Sequence, residues 1–230
     1  TSLDLTNFNM DQVEGMAGIF DGCSSLTSLD LTNFKTNQTE DLSFMFSGCS
    51  SLASLDLSGL NTEMAVDMNS MFSGCSSLKN LDLGNFKTDQ VKDMSSMFDG
   101  CNQLTALNIR NFDTGNVSNM RSMFRGCSAL DSLSLENFHT EKVLEMNSMF
   151  SGCSSLSQLD LSGFNTGKVT DLSSAFDGCS SLTSLNLSRF STDRVTNLNF
   201  IFDGCGSLES LDLSSWDLSS VQMAENVLSG

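Results

Sequence analysis

Residues 78–101 read LKNLDLGNFKTDQVKDMSSMFDGC. The stretch ends on Phe98-Asp99-Gly100-Cys101, and the same Phe-x-Gly-Cys ending occurs at Cys23, Cys49, Cys75, Cys101, Cys127, Cys153, Cys179 and Cys205. The step is 26 residues each time, and these eight are all the cysteines of the chain. A pattern that never slips register over eight copies marks a solenoid, each copy being one turn stacked on the last. The 230 residues then form a single repeat array, with turns beginning near Leu3, Leu29, Leu55, Leu81, Leu107, Leu133, Leu159, Leu185 and Leu211.

Within residues 78–101 the pattern changes period. Leu81-Asp82-Leu83 alternates apolar and polar, which predicts a short strand with its leucines inward. An aromatic position follows, filled by Phe8, Phe34, Phe86, Phe112, Phe138, Phe164, Phe190 and Trp216, with Leu60 as the one aliphatic. A polar bend then carries Thr36, Thr62, Thr88, Thr114, Thr140, Thr166 or Thr192. Val91, Met94, Met97, Phe98 and Cys101 follow at spacings of three and four, which predicts a short α or 3₁₀ helix. The position of Asp93 (Asp41, Asp67, Asn119, Glu145, Asp171 and Asn197 in other turns) suits the helix N-cap. Gly100 and its equivalents suit the left-handed residue that ends a helix. The expected fold class is an α/β solenoid: a leucine-rich-repeat-like array of about nine 26-residue turns, each a short parallel strand plus a short helix, curved because the two layers differ in width.

Net charge is −17, which disfavours nucleic acid and anionic membranes and favours basic partners or divalent cations. The 39% hydrophobic content is enough for a core, so the Ser, Asn and Asp richness does not signal disorder. No apolar run approaches the roughly 18–20 residues of a membrane span, and no leader, basic tail or lipidation motif is visible. Thr1 aligns with Thr27 and Ser229-Gly230 with Asp203-Gly204, without the atypical caps that usually close a solenoid. The sequence is therefore expected to be a segment of a longer protein.

The consensus Leu-x-x-Leu-Asp-Leu-Ser-x-Phe-x-Thr-x-x-Val-x-Asp-Met-x-x-Met-Phe-x-Gly-Cys-Ser-Ser-Leu, followed closely at 52–75, 78–101 and 156–179, resembles the 26-residue repeat of BspA-like leucine-rich-repeat surface proteins. These occur in host-associated bacteria, with protist and algal relatives, and the resemblance covers essentially the whole chain. It implies a cell-surface or secreted protein that adheres through binding, with no catalytic residues. The last copy departs from it, carrying Val227-Leu228-Ser229-Gly230 in place of the Phe-x-Gly-Cys ending.

The cysteines read as a buried ladder of small side chains, with Phe46, Cys49, Phe72, Cys75, Phe98, Cys101, Phe124, Cys127, Phe150 and Cys153 as structural core. Bridges between neighbouring turns are the alternative; equivalent cysteines stack in parallel, a poor geometry for a disulfide. A metal or catalytic role lacks partners, since His139 is the only histidine. Met45, Met71, Met97, Met123 and Met149 read as core filler.

The candidate binding face is the outward strand column and its flank: Asp30, Asp56, Asp82, Asn108, Arg110, Glu136 and Asp160, with Asp4, Ser134, Asn186 and Asp212 in the same column. Carboxylates stacked at about 5 Å repel by roughly 1 kcal/mol or less in water. A basic protein, a glycan or Ca²⁺ would relieve that; no other cofactor is expected, and the loop of an EF-hand is absent. Arg110, Arg121, Arg125, Ser134, Glu136 and His139 break the pattern mid-array, and an Arg110–Glu136 surface pair is expected. Asn37, Asn116 and Asn186 lie in glycosylation sequons. The function read from these features is adhesion, or binding of an extracellular protein or glycan, through the strand face. The alternative is a spacer or filament subunit stacking end to end. No column joins a nucleophile to a base and an oxyanion donor, so no enzyme is expected.

Overall fold

The computed structural model describes every residue except Thr1, Asp4, Thr6, Asn7, Asn9, Asp11, Asn33 and Gly230, and the side chain of Ser2. The chain winds into stacked 26-residue turns with one continuous apolar core. Leu81, Leu83, Phe86, Val91, Met94, Met97, Phe98 and Cys101 of one turn all point into it, each at most 2% exposed. Phe46, Cys49, Phe72, Cys75, Phe124, Cys127, Phe150, Cys153 and the five stacked methionines are equally buried.

Strands are shorter and fewer than the alternation suggests. Among the described residues they are β1 (Ser2–Leu3), β2 (Ser28–Leu29), β3 (Asn80–Asp82), β4 (Ala106–Asn108), β5 (Ser184–Leu185) and β6 (Ser210–Leu211). They pair in parallel as β1–β2, β3–β4 and β5–β6, each position matching its equivalent 26 residues on, as Leu81 matches Leu107. The expected nine-strand sheet is thus three separate pairs.

The expected helix is absent: among the described residues, the segment from Asp93 to Cys101 is a run of tight turns. Its N–H groups alternate between two kinds of partner. Met94, Ser96, Phe98 and Gly100 donate to the Asn119, Arg121, Met123 and Arg125 carbonyls of the next turn, at 2.8–3.1 Å. Met97, Asp99 and Cys101 donate three residues back, to Met94, Ser96 and Phe98. Asp93 and its equivalents are therefore not helix caps. They are rungs of a second parallel ladder, bridged turn to turn from Gly15 through Asp41, Asp67, Asp93, Asn119, Glu145, Asp171 and Asn197 to Met223. Their side chains still close the first N–H, as the cap reading requires, but of a turn: Asp93 Oδ1 accepts from Ser95 N at 2.7 Å.

The physical reason is competition for the same backbone groups. A helix of this length is marginal by itself, and Ser95, Ser96 and Gly100 are weak helix formers. Stacked turns instead give every second N–H a carbonyl on the neighbouring copy. The conformation needs left-handed backbone at two places per turn, Ser96 (φ 54°) and Gly100 (φ 73°). At the serine it costs about 1–2 kcal/mol, which the inter-turn bonds offset.

The Phe-x-Gly-Cys ending forms a knot that closes each turn, and its rings stack through the core. Phe20, Phe46, Phe72, Phe98, Phe124, Phe150, Phe176 and Phe202 follow one another at 5.6–5.8 Å between ring centres. In the aromatic column that follows the strand position, Phe138, Phe164 and Phe190 stack at 6.4–6.5 Å. Successive turns are drawn together at the knot and fan apart toward that corner. The width difference invoked for curvature, strands against helices, does not exist here. Among the described residues no helix is long and apolar enough to cross a membrane.

The threonines of the polar bend are buried. Thr114 Oγ1 donates to the His139 carbonyl at 2.8 Å and accepts the His139 N–H at 2.7 Å. Thr62 clips Lys87, Thr88 clips Asp113 and Thr140 clips Asn165 in the same two-way manner. One hydroxyl thus satisfies both backbone groups of a residue on the next turn.

Candidate functional site

The thiols are free, and seven of them are buried. Each buried thiol donates to the carbonyl of the knot phenylalanine one turn back, as Cys101 Sγ does to Phe72 O at 3.1 Å and Cys127 Sγ to Phe98 O at 3.3 Å. Burial pushes the Cys49 thiol up to about 11 and Cys101 and Cys153 up to about 12. Such thiols stay protonated at neutral pH and make poor nucleophiles. The buried thiols of the knot side are therefore engaged within the fold.

The strand side differs. Asp30, Asp56, Asp82 and Asp160 are exposed, as expected, and Asn108 is half-buried. Asp4 lies outside the described residues. Their carboxylates have a structural task as well. Oδ1 of Asp56 accepts the N–H of Ser58, that of Asp82 the N–H of Gly84 and that of Asp160 the N–H of Ser162, all at 2.9 Å. Asp30 does the same for Thr32. Each is an Asx turn that ends the strand position and starts the next corner. These bonds hold the Asp56 and Asp160 carboxyls below the usual aspartate range, the Ser58 and Ser162 N–H groups being the main cause. Within the column Asn108 Nδ2 donates to Asp82 Oδ1 at 2.7 Å, so an amide in place of a carboxylate turns repulsion into a bond. Among the described residues no group of three acidic, histidine or cysteine side chains converges to hold a metal ion.

One turn breaks the device. Ser134 stands where its described equivalents are Asp or Asn, and among the described residues no side-chain bond from this column closes on Glu136 N. Among the described residues no backbone bond joins 131–135 to 105–109 or to 157–161, and none joins 53–57 to 27–31 or to 79–83. A depression of about 540 Å³ opens there, lined by Thr105, Ala106, Leu107, Ser132, Leu133, Ser134, Gln158 and Asp160. A smaller one of about 240 Å³ lies between Asp30, Thr32, Asp56 and Ser58.

The expected Arg110–Glu136 pair does not form; among the described residues the ion pair is Arg125 Nη1 to Asp99 Oδ2 at 3.5 Å. Glu136 is exposed. Arg110 lines a third depression, at the neighbouring corner, with Lys87, Asn111, Phe112, Asp113, Asn137 and His139. The candidate residues therefore do not form one site: the structure divides Asp160, Asp30 with Asp56, and Arg110 among three depressions. Sequence reasoning passed over Thr105, Ser132 and Leu133; the signal for them was Ser134, the one described member of its column that is neither Asp nor Asn. In the sequon at Asn116, Nδ2 donates to Asp89 O at 2.7 Å.

The family model described as "Mycoplasma protein of unknown function, DUF285" matches residues 1–107, 66–165, 94–185 and 153–230, together the whole chain. This fits the BspA-like repeat. No curated protein sequence matches the chain. Among solved structures, the leucine-rich-repeat protein of T. pallidum is 20% identical with a TM-score of 0.37, over 76% of this chain and 66% of that one. A leucine-rich cell surface protein from Faecalibacterium prausnitzii is 16% identical with a TM-score of 0.33, over 94% and 77%. A leucine-rich-repeat protein from Eubacterium ventriosum is 15% identical with a TM-score of 0.39, over 96% and 69%.

Proposed function

The chain belongs to the DUF285 family, and on that premise we propose that it is a non-catalytic binding array of a cell-surface or secreted protein, which adheres to an extracellular protein or glycan through its strand side. One observation carries this reading: the depression at Ser134, where the strand side is unpaired and the Asp or Asn of its column is replaced. Among the described residues, the backbone groups of 131–135 have no backbone partner in a neighbouring turn, over a floor of Ala106, Leu107 and Leu133. Backbone groups on an open sheet face are ready acceptors and donors for a partner, and a rigid scaffold presents them without an ordering cost. The buried thiols and the Thr clips leave no comparable groups on offer elsewhere in the turn.

The test is a block. Ser134→Trp fills the depression from an exposed position, leaving the core untouched. Immobilised extracellular-matrix proteins and an array of glycans supply the probes. Binding by the wild-type chain that falls at least tenfold in Ser134→Trp, with an unchanged circular dichroism spectrum, supports the reading. Equal binding by both overturns it.

A further inference from the structure

The charge of the array is not evenly spread. Residues 79–142 hold seven of the eleven Lys and Arg and eight of the twenty-eight Asp and Glu, so they carry a net −1 while the rest carries −16. In the middle of this neutral stretch lies the corner depression of about 450 Å³ lined by Lys87, Arg110, Asn111, Asp113, Asn137 and His139. Lys87, Asp113 and His139 occupy one position on three successive turns, and Arg110 stands three residues before Asp113.

The cations there are not spoken for. Among the described residues, Lys87 and Arg110 take part in no ion pair, and both are exposed, as is the His139 ring beside them. The acid nearest in the column, Asp113, turns one carboxylate oxygen to its own turn, accepting from Gly115 N at 2.9 Å. The walls are fixed: Asn137 Nδ2 donates to Arg110 O at 2.6 Å, and the backbones of Lys87, Asp113 and His139 are each held by a buried threonine hydroxyl. With its amide nitrogen engaged, Asn137 has its carbonyl oxygen aimed elsewhere, as does Asn111, whose Nδ2 donates to Gly84 O.

We propose that this corner binds an acidic saccharide, a sugar bearing a carboxylate. The carboxylate meets the Arg110 guanidinium, whose paired donors match it, with Lys87 and His139 alongside. Sugar hydroxyls donate to the amide oxygens of Asn111 and Asn137 and to Asp113. Acceptors grouped around a cation suit a ligand that is both anionic and rich in hydroxyl donors. The −16 carried by the flanking turns repels long polyanions, so an isolated carboxylate is favoured over a sulfated or nucleic-acid chain. This site goes beyond the strand-side reading, and its residues line a different depression.

The experiment is a titration of the isotope-labelled chain, followed by amide chemical shifts, with four probes: sialyllactose, lactose, a tri-glutamate peptide and heparin oligosaccharide. The expected result is saturable shifts at Arg110, Asn111, Asn137 and His139 with sialyllactose and none with lactose. Arg110→Ala keeps the backbone carbonyl that Asn137 uses, so it should fold; it should lower affinity by roughly tenfold or more, the weight of a charge-assisted bond. Arg194→Ala, a cation away from the corner, and Ser134→Trp, which blocks the strand-side depression, should leave binding as it was. The proposal is overturned if lactose shifts the same amides equally, if Arg110→Ala binds like the wild type, or if sialyllactose shifts nothing. It is also overturned if the peptide or heparin binds more tightly than sialyllactose, in which case the corner reads peptides or polyanions.

Discussion

The knot side and the strand side are built from the same 26 residues, yet one is bonded without interruption and the other is not. On the knot side, parallel bridges run from Gly15 to Met223 with no turn omitted. On the strand side, among the described residues, strands pair two at a time, at β1–β2, β3–β4 and β5–β6. The knot column keeps its glycine and its aromatic ring in every complete copy, whereas the strand column drifts from Asp to Asn to Ser. The glycine and the ring do not vary, because each must fit its equivalent on the copy on either side, while the rungs between them run through Asp, Asn and Glu. A face that is only locally paired can vary, and variation is what a binding surface needs. The comparison makes stability a property of one side and recognition a property of the other.

The strongest way to break the comparison is to remove a ring from the knot. Phe98 is fully buried and lies between Phe72 and Phe124 at 5.8 and 5.6 Å. Phe98→Ala should lower unfolding free energy by about 3–5 kcal/mol. The matching strand-side change, Leu107→Ala at a half-buried position, should cost about 1 kcal/mol, half the value of a fully buried leucine. Urea titrations of both variants check this. Because turns touch only their neighbours, Phe98→Ala should also split the transition in two. Equal midpoints for the two variants would mean that the knot does not dominate.

The repeat, its length, the inward columns and the parallel stacking were all legible in the sequence, because apolar periodicity reports which residues face inward. It does not report how the backbone between them is bonded. Met94, Met97, Phe98 and Cys101 lie on one face of a helix, but consecutive tight turns place the same four residues inward. What separates the two is the positive φ of Ser96, and no rule of residue preference assigns that to a serine. Thr114 was equally ambiguous: a hydroxyl in a polar bend looks like surface until its partner, the backbone of His139 on the next turn, is known. The candidate site was legible only as exposure. Exposure of Asp160 and Arg110 follows from alternation, but their division between two depressions depends on where pairing lapses.

A smaller effect should come from the threonine clips, which lie between the two sides. Thr114→Val keeps the shape and removes the hydroxyl. The His139 N–H and carbonyl then lose their partner, and leaving such groups unsatisfied costs about 1–3 kcal/mol. Thr114→Ser retains the hydroxyl and should recover most of the loss. Chemical denaturation of the pair is the check. If Thr114→Ser is as unstable as Thr114→Val, the methyl group and not the hydrogen bond matters at this position, and the clip is not what couples the corner to the next turn.

The smallest effect belongs to the strand side itself, and pH sharpens it. Asp56 Oδ1 accepts from Ser58 N at 2.9 Å, and that bond lowers its carboxyl below the usual value. A carboxyl whose folded value is depressed contributes stability above its unfolded value, about 3.9, and loses it as pH falls through the folded one. Asp56→Asn keeps a carbonyl acceptor for the turn, as Asn186 does for Ser188 at 3.1 Å, and removes the titration. Asp56→Ala removes both. At pH 7 the asparagine variant should melt close to the wild type and the alanine variant slightly below it, by less than either change above. On acidification to pH 3 the gap between wild type and Asp56→Ala should narrow, while the gap between Asp56→Asn and Asp56→Ala stays constant. Thermal melts at the two pH values decide it. A gap between wild type and Asp56→Ala that widens on acidification would mean that the carboxylate is strained by its acidic neighbours more than it is held by Ser58, and that the strand side is kept acidic at a cost to the fold.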